Sequence, residues 1–277
     1  LEDMESDGIK VRGFIVREKC DLPSNFRCEL ELEDFLKQGK VIGLEGIDTR
    51  ALTKVLRNNG TMRGIIALED LEDETVKEKI ANFSNTEAVK KVTTKEAYTI
   101  DGSGKHVAIM DFGIKTNIIR NFQKRNCKLT IFPATATAEE VLNVNPDLVF
   151  LSNGPGDPED LDFVIENIKK IVGKKPLVGI CLGHQLLALA LGGKTTKLKF
   201  GHRGCNHPVK DLEENIVHIT SQNHGYVVET LPENMEVTHV NINDGTVEGM
   251  KHKDLPIYSV QFHPEASAGP KASEYIF

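Results

Sequence analysis

A cysteine at the end of an apolar strand, with glycine two residues to either side, has the spacing of a nucleophile turn; Gly179-Ile-Cys-Leu-Gly183 has that spacing. A side chain at either glycine would crowd a tight strand-to-helix turn, and the turn lifts the sulfur clear of the sheet. It also sets Cys181 at the positive end of the next helix, which favours thiolate over thiol. A thiol nucleophile needs a base, and the base needs a group to orient it. His263-Pro-Glu265 supplies both at the end of another apolar run. Positions i and i+2 of an extended chain point the same way, and the proline keeps its neighbours extended, so Glu265 can fix the tautomer of His263. The chemistry such a trio performs is acyl transfer through a thioester.

Two further segments fit around this set. Ser152-Asn-Gly-Pro-Gly-Asp-Pro158 follows an apolar strand, and its glycines let backbone N–H groups approach a ligand as the second wall of an oxyanion hole. The first donor would be the N–H of Leu182. The segment lacks the Gly-Lys-Ser/Thr ending of a phosphate loop. Ser221-Gln-Asn-His-Gly-Tyr226 is a polar stretch suited to holding a polar substrate. His202, Cys205 and His207 lie close together, but their spacing matches no common zinc pattern, so no metal is expected. Asp157 and Glu159-Asp160 read as caps of the following helix.

The elements that must position these groups alternate. Strands are expected at Val107–Asp111, Leu129–Phe132, Leu148–Leu151 and Leu177–Ile180. Helices are expected at Thr116–Lys124, Ala138–Leu142, Phe163–Val172 and His184–Leu191. Apolar strands alternating with amphipathic helices predict an α/β fold, a mostly parallel sheet flanked by helices, with reactive groups at the carboxyl ends of its strands. After Asn206 the chain turns strand-rich, at Ile216–Ile219, Val237–Val240 and Ile257–Phe262. The Gly- and Ser-rich stretch 98–105 marks a boundary between residues 1–101, a smaller α/β domain, and residues 105–277. In the first domain, strands are expected at Val11–Val16 and Gly64–Ala67, and helices at Leu30–Leu36 and Thr49–Arg57.

Composition narrows the function classes. The chain has 277 residues, a formal charge of −7 and 39% apolar residues, so a broad basic surface for nucleic acid is excluded. No window approaches the eighteen or so apolar residues of a membrane span. Five cysteines without a C-x-x-C pair fit a reducing cytoplasm. The start at Leu1 and the stop at Phe277 suggest a chain cut at both ends.

The three separated blocks, Gly-Ile-Cys-Leu-Gly-His-Gln185, Gln-Phe-His-Pro-Glu265 and Ser-Asn-Gly-Pro-Gly-Asp-Pro158, resemble the class I (triad) glutamine amidotransferases. Gly46-Ile-Asp-Thr-Arg-Ala-Leu-Thr-Lys-Val-Leu-Arg57, Gly60-Thr-Met-Arg-Gly64, Lys199-Phe-Gly-His-Arg-Gly-Cys-Asn-His-Pro-Val209 and Gln222-Asn-His-Gly225 are similar to the small subunits of carbamoyl-phosphate synthetases. The resemblance implies Cys181 as nucleophile, His263 as acid/base and Glu265 as its orienter. It implies glutamine contacts at Gly154, Gly156, Leu182, Gln185, Asn223, Gly225 and Tyr226. It further implies ammonia delivery to a large synthetase subunit in the cytoplasm, with ATP and Mg2+ or K+ held there and no cofactor on this chain. The family also uses a serine from an amino-terminal segment outside this sequence, and it usually has glycine where Cys205 stands.

Overall fold

The protein is described by a computed structural model covering residues 4–266, 269–270 and 274–277. It forms two compact units, Leu1–Ser84 and Asn85–Phe277. The sequence pattern predicts the division at 101–105; residues 85–100 instead contribute a helix and an edge strand to the second unit.

The first unit contains β1 (Gly13–Ile15), α1 (Leu32–Gln38), β2 (Ile42–Leu44), α2 (Thr49–Asn59) and α3 (Asp73–Ala81). β1 and β2 pair in parallel, with Gly13 opposite Ile42. α2 starts where the Asp48 carboxylate accepts from the Ala51 N–H, satisfying one of the unpaired donors of the first turn. The strand expected at Gly64–Ala67 is not formed. Ile66 lies instead against β1, so close that a Cβ on Gly13 would meet its Cδ1 at 2.7 Å. The segment is apolar because it packs, not because it pairs.

The second unit begins with α4 (Ala88–Val92) and β3 (Tyr98–Ile100), followed by β4 (His106–Asp111), α5 (Thr116–Lys124) and β5 (Lys128–Pro133). Next come α6 (Ala138–Asn143), β6 (Leu148–Leu151), α7 (Asp162–Ile171), β7 (Leu177–Ile180) and α8 (Leu182–Ala190). The chain then turns to strands: β8 (Lys194–Asp211), β9 (Ile216–Thr230), β10 (Met235–Asn241), β11 (Val247–His252) and β12 (Ile257–Val260). Short 3-10 turns lie at Pro158–Asp160 and Glu274–Ile276.

All ten strands of this unit join one sheet, ordered β3-β5-β4-β6-β7-β12-β11-β10-β8-β9. β5, β4, β6, β7 and β12 are mutually parallel, while β3 and the β8–β11 extension are antiparallel. The sheet is therefore mixed, with a parallel centre. Helices cover both faces of that centre, which explains its unbroken apolar strands. Along β4, Ala108 and Met110 face one core cluster with Leu186 and Ile168; Val107 and Ile109 face the other with Ile118 and Phe122. α6 opens with a reciprocal capping box between Thr137 and Glu140, which fixes its start. Among the described residues no helix is long and apolar enough to cross a membrane.

Candidate active site

β7 and β12 are neighbours in parallel register, with Val260 opposite Ile180. The Cys181 N–H continues the ladder by donating to the Val260 carbonyl at 2.9 Å. Residues leaving the carboxyl ends of these two strands thus emerge side by side. That register places the His263 loop beside the Cys181 turn, although the two lie far apart in sequence order.

The turn itself is tight. Cys181 has φ +54°, the left-handed region, where a side chain with a Cβ is strained. The turn is held by the Gly183 N–H donating to the Ser152 carbonyl at 3.1 Å and by the Gln185 N–H donating to the Cys181 carbonyl at 3.2 Å. Both glycines are required by space. A Cβ at Gly179 would lie 2.7 Å from the Gly183 carbonyl carbon, and one at Gly183 would lie 2.3 Å from the Leu151 carbonyl oxygen. Alanine at Gly183 would gain helix propensity of about 1 kcal/mol. The backbone clash, worth up to about 3 kcal/mol, outweighs it, so Gly183→Ala is expected to destabilise by about 1–2 kcal/mol net. A urea-unfolding midpoint unchanged from the parent would show that the turn yields where this packing says it cannot.

Behind the nucleophile, the His263 Nδ1 and Glu265 Oε1 are 2.7 Å apart, both residues buried. Lys115 Nζ lies 3.2 Å from the same carboxylate oxygen, and Asn117 Nδ2 donates to the Glu265 backbone carbonyl at 3.0 Å. The His263 N–H donates to the Ser221 carbonyl at 2.9 Å, tying the loop to β9. The far ring nitrogen, Nε2, is buried without a hydrogen-bond partner. Burial alone would lower the His263 pKa; the facing charges of Glu265 and then Cys181 overcome it and raise it to about 9. Burial likewise opposes ionisation of Glu265, but His263 and Lys115 hold its pKa down to about 2.

The glycine loop closes the other side. Ser152 is fully buried, its hydroxyl accepting from the Phe112 N–H at 2.9 Å and donating to the Asn153 carbonyl at 2.8 Å. Asn153 accepts from the Lys115 N–H at 3.1 Å and donates to the Gly113 carbonyl at 3.1 Å. The chain carrying the lysine and the glycine loop are therefore one hydrogen-bonded body. Gly154 is wedged so tightly that a Cβ would meet the Phe112 carbonyl oxygen at 2.4 Å and Leu182 Cδ2 at 2.7 Å. Gly156 turns the loop at φ +100°. Gln185 Nε2 donates to the Tyr226 carbonyl at 2.7 Å and to Gln261 Oε1 at 2.9 Å, fastening β9 to α8. Asn223 is exposed and pairs across the ladder with Arg203, and Gly225 lies two residues further along β9.

Sequence reasoning gives no individual role to Lys115, Asn117, Ser152 or Gln261. Lys115 had a usable signal: it follows the carboxyl end of β4, the edge on which the nucleophile also lies. Ser152 and Gln261 act through backbone and amide contacts that leave no spacing rule.

A thiol on a strand–turn–helix elbow, with a buried imidazole and an ionised carboxylate in line behind it, defines a triad-type acyl-transfer enzyme built on an open α/β sheet. Residues 108–277 match the family described as "Glutamine amidotransferase class-I", and residues 1–66 match "Carbamoyl-phosphate synthase small chain, CPSase domain". The chain is 73% identical over 277 residues to the carbamoyl phosphate synthase small chain of Clostridium perfringens, covering all of this chain and 79% of that one. It is 52% identical over 279 residues to the small chain of Bacillus cereus strain ZK, covering 100% of this chain and 76% of that one. Among solved structures, a putative GMP synthase subunit from Thermoplasma acidophilum aligns at TM-score 0.55 and 24% identity, over 63% of this chain and 92% of that one, a likeness of fold. The chain belongs to the class-I glutamine amidotransferases and, within them, to the carbamoyl phosphate synthase small chains.

Proposed function

We propose that this chain hydrolyses glutamine to glutamate and ammonia and passes the ammonia to a large synthetase subunit, which makes carbamoyl phosphate from bicarbonate and ATP. The observation that carries the reading is the parallel register of β7 and β12, which sets Cys181 and His263 on one edge with Glu265 2.7 Å behind the imidazole. The Cys181 sulfur attacks the side-chain amide carbon of glutamine. The N–H of Leu182 and the backbone around Gly154 and Gly156 receive the oxyanion; such donors are worth about 3–4 kcal/mol each in other hydrolases. His263 gives its Nε2 proton to the departing ammonia, leaving a γ-glutamyl thioester. Neutral His263 then takes a proton from water as the water attacks the thioester, and glutamate leaves with the thiolate restored.

Glu265, held ionised against burial by His263 and then by Lys115, keeps the Nδ1 edge of the imidazole engaged throughout. Gln185, Asn223, Gly225 and Tyr226 complete the glutamine pocket, with Gln185 holding the Tyr226 backbone in place. ATP and its Mg2+ or K+ belong to the large subunit. A reducing cytoplasm suits a chain whose five cysteines are all free thiols.

The test is glutamate release by the purified chain with and without the large subunit, with quenched samples digested for mass spectrometry. A γ-glutamyl adduct on the peptide bearing Cys181, and faster release with the partner, are the expected results. Glutamate release without any adduct on that peptide would remove Cys181 from the mechanism.

A further inference from the structure

Away from the Cys–His–Glu set, three buried side chains from three strands converge. They are His202 on β8, His224 on β9 and Glu248 on β11, and one ligand atom from each lies within 4.8 Å of the others. His202 and His224 stand directly opposite in the β8–β9 ladder, with ring centroids 4.9 Å apart.

The hydrogen bonds around the two rings fix which nitrogen of each keeps its lone pair. His202 Nε2 lies 2.7 Å from Asp244 Oδ2, so its hydrogen belongs there. Nδ1 is then left facing Glu248 Oε1 at 3.6 Å, buried and without a hydrogen-bond partner. His224 Nδ1 lies 2.8 Å from the Tyr226 carbonyl, so it donates there and leaves its lone pair on Nε2. Each histidine thus turns its outer N–H to a carboxylate or a carbonyl and its lone pair inward. Ligating imidazoles are oriented by such outer partners.

The inward side has an electrostatic conflict that no choice of rotamer removes. His224 Nε2 faces Gln222 Oε1 at 2.9 Å, an acceptor against an acceptor. Turning the Gln222 amide over would relieve that contact. It would also set the amide oxygen against Glu248 Oε2, 2.8 Å from the present nitrogen. A cation held among these atoms would satisfy both contacts at once.

We propose that His202 Nδ1, His224 Nε2 and the Glu248 carboxylate bind a divalent transition-metal cation of the zinc class, with Gln222 Oε1 placed as a fourth donor. Two imidazoles and a carboxylate are a donor set such cations accept. Bonds of about 2.0–2.2 Å imply donor separations near 3.3–3.6 Å, so the 3.6 Å between His202 Nδ1 and Glu248 Oε1 already fits, and the other pairs, within 4.8 Å, close on binding. Glu248 is further braced by Asn241 Nδ2 at 3.0 Å. The metal cross-links β8, β9 and β11 through His224, which lies within residues 222–226, the segment assigned above to glutamine; its binding is measured without turnover and does not rest on that assignment.

The experiment is titration of the full, chelator-treated chain with Co2+ followed by visible absorption, and with Zn2+ by calorimetry. One equivalent is expected to bind, with d–d bands free of thiolate charge-transfer intensity. His202→Asn and Glu248→Gln are expected to abolish binding. Asp244→Asn keeps every ligand and the fold, checked by circular dichroism, and is expected to weaken binding by about ten- to a hundredfold. Failure to bind one equivalent overturns the proposal. So does a thiolate spectrum, or binding that Asp244→Asn and Glu248→Gln leave unchanged.

Discussion

Replacing Cys181 with Ala is expected to lower glutamine-dependent turnover by at least about ten-thousand-fold, the scale seen when a triad nucleophile is removed elsewhere. The same reconstituted complex is expected to keep its activity with ammonium salt as nitrogen donor. The physical case rests on separating chemistry from fold. Cys181 is buried and sits at φ +54°, a strained conformation whose cost depends on having a Cβ. Alanine keeps the Cβ, so the strain and the turn stay as they are. The hydrogen bonds that shape the turn all come from the backbone: Cys181 N–H to Val260, Gly183 N–H to Ser152, and Gln185 N–H to the Cys181 carbonyl. None is lost with the sulfur. The stability change is then the loss of one small buried atom, about 1 kcal/mol. A variant that lost both nitrogen sources equally would have failed as a structure. One that kept the glutamine reaction would show that another group carries the acyl intermediate.

The part of this site that the sequence made legible is the part whose geometry is local. Gly179, Cys181 and Gly183 lie within one turn, and the absence of room for a Cβ at either glycine is written in the choice of glycine. His263 and Glu265 are likewise close in the chain, but their 2.7 Å contact is made across a turn, with the Ala266 N–H donating to the His263 carbonyl at 3.3 Å, and not along the extended backbone that the proline suggests. The helices over the parallel centre were legible for the same reason. α5 spans Thr116–Lys124 as the periodicity predicts, because Ile118 and Phe122 fall on one face. What the sequence did not disclose depends on chain crossings. Asn117 meets Glu265 from 148 residues away, and Gln222 meets Glu248 from 26. His202 meets Asp244 from 42 residues away, a contact that the spacing of His202, Cys205 and His207 does not show. Gly64–Ala67 shows the opposite failure. Its apolar residues satisfy a strand pattern, yet their burial comes from packing, and the pattern cannot distinguish the two.

Glu265→Gln is the substitution whose sign can be worked out furthest. The side chain keeps its shape, so the packing around it persists, but a buried anion is removed. Glu265 is held ionised, down to about pH 2, by the combined pull of His263 and Lys115 against burial. It is therefore charged at any pH at which the enzyme is assayed. Its charge favours the protonated form of His263, whose pKa it raises, together with Cys181, to about 9 despite the burial that would lower it. In the parent, the imidazolium needed to protonate the leaving ammonia persists up to that pH. The kcat/KM of glutamine hydrolysis is expected to fall as pH rises through about 9. With glutamine at 265 the opposing burial wins, the His263 pKa drops, and the alkaline limb moves to lower pH. At neutral pH the loss is expected to be about a hundred- to ten-thousandfold, bounded by general acid–base catalysis below and by loss of the orienting acid above. The fold carries the same signature with the same sign. A raised imidazole pKa adds stability below its ordinary value of 6.5, and that stability is lost as pH rises through about 9. The variant lacks this increment, so its unfolding midpoint should differ from the parent most between about pH 4.5 and 6.5, and the gap should narrow as pH rises through about 9. A pH–rate profile superimposable on the parent's, merely scaled down, would mean that Glu265 positions the ring without setting its charge.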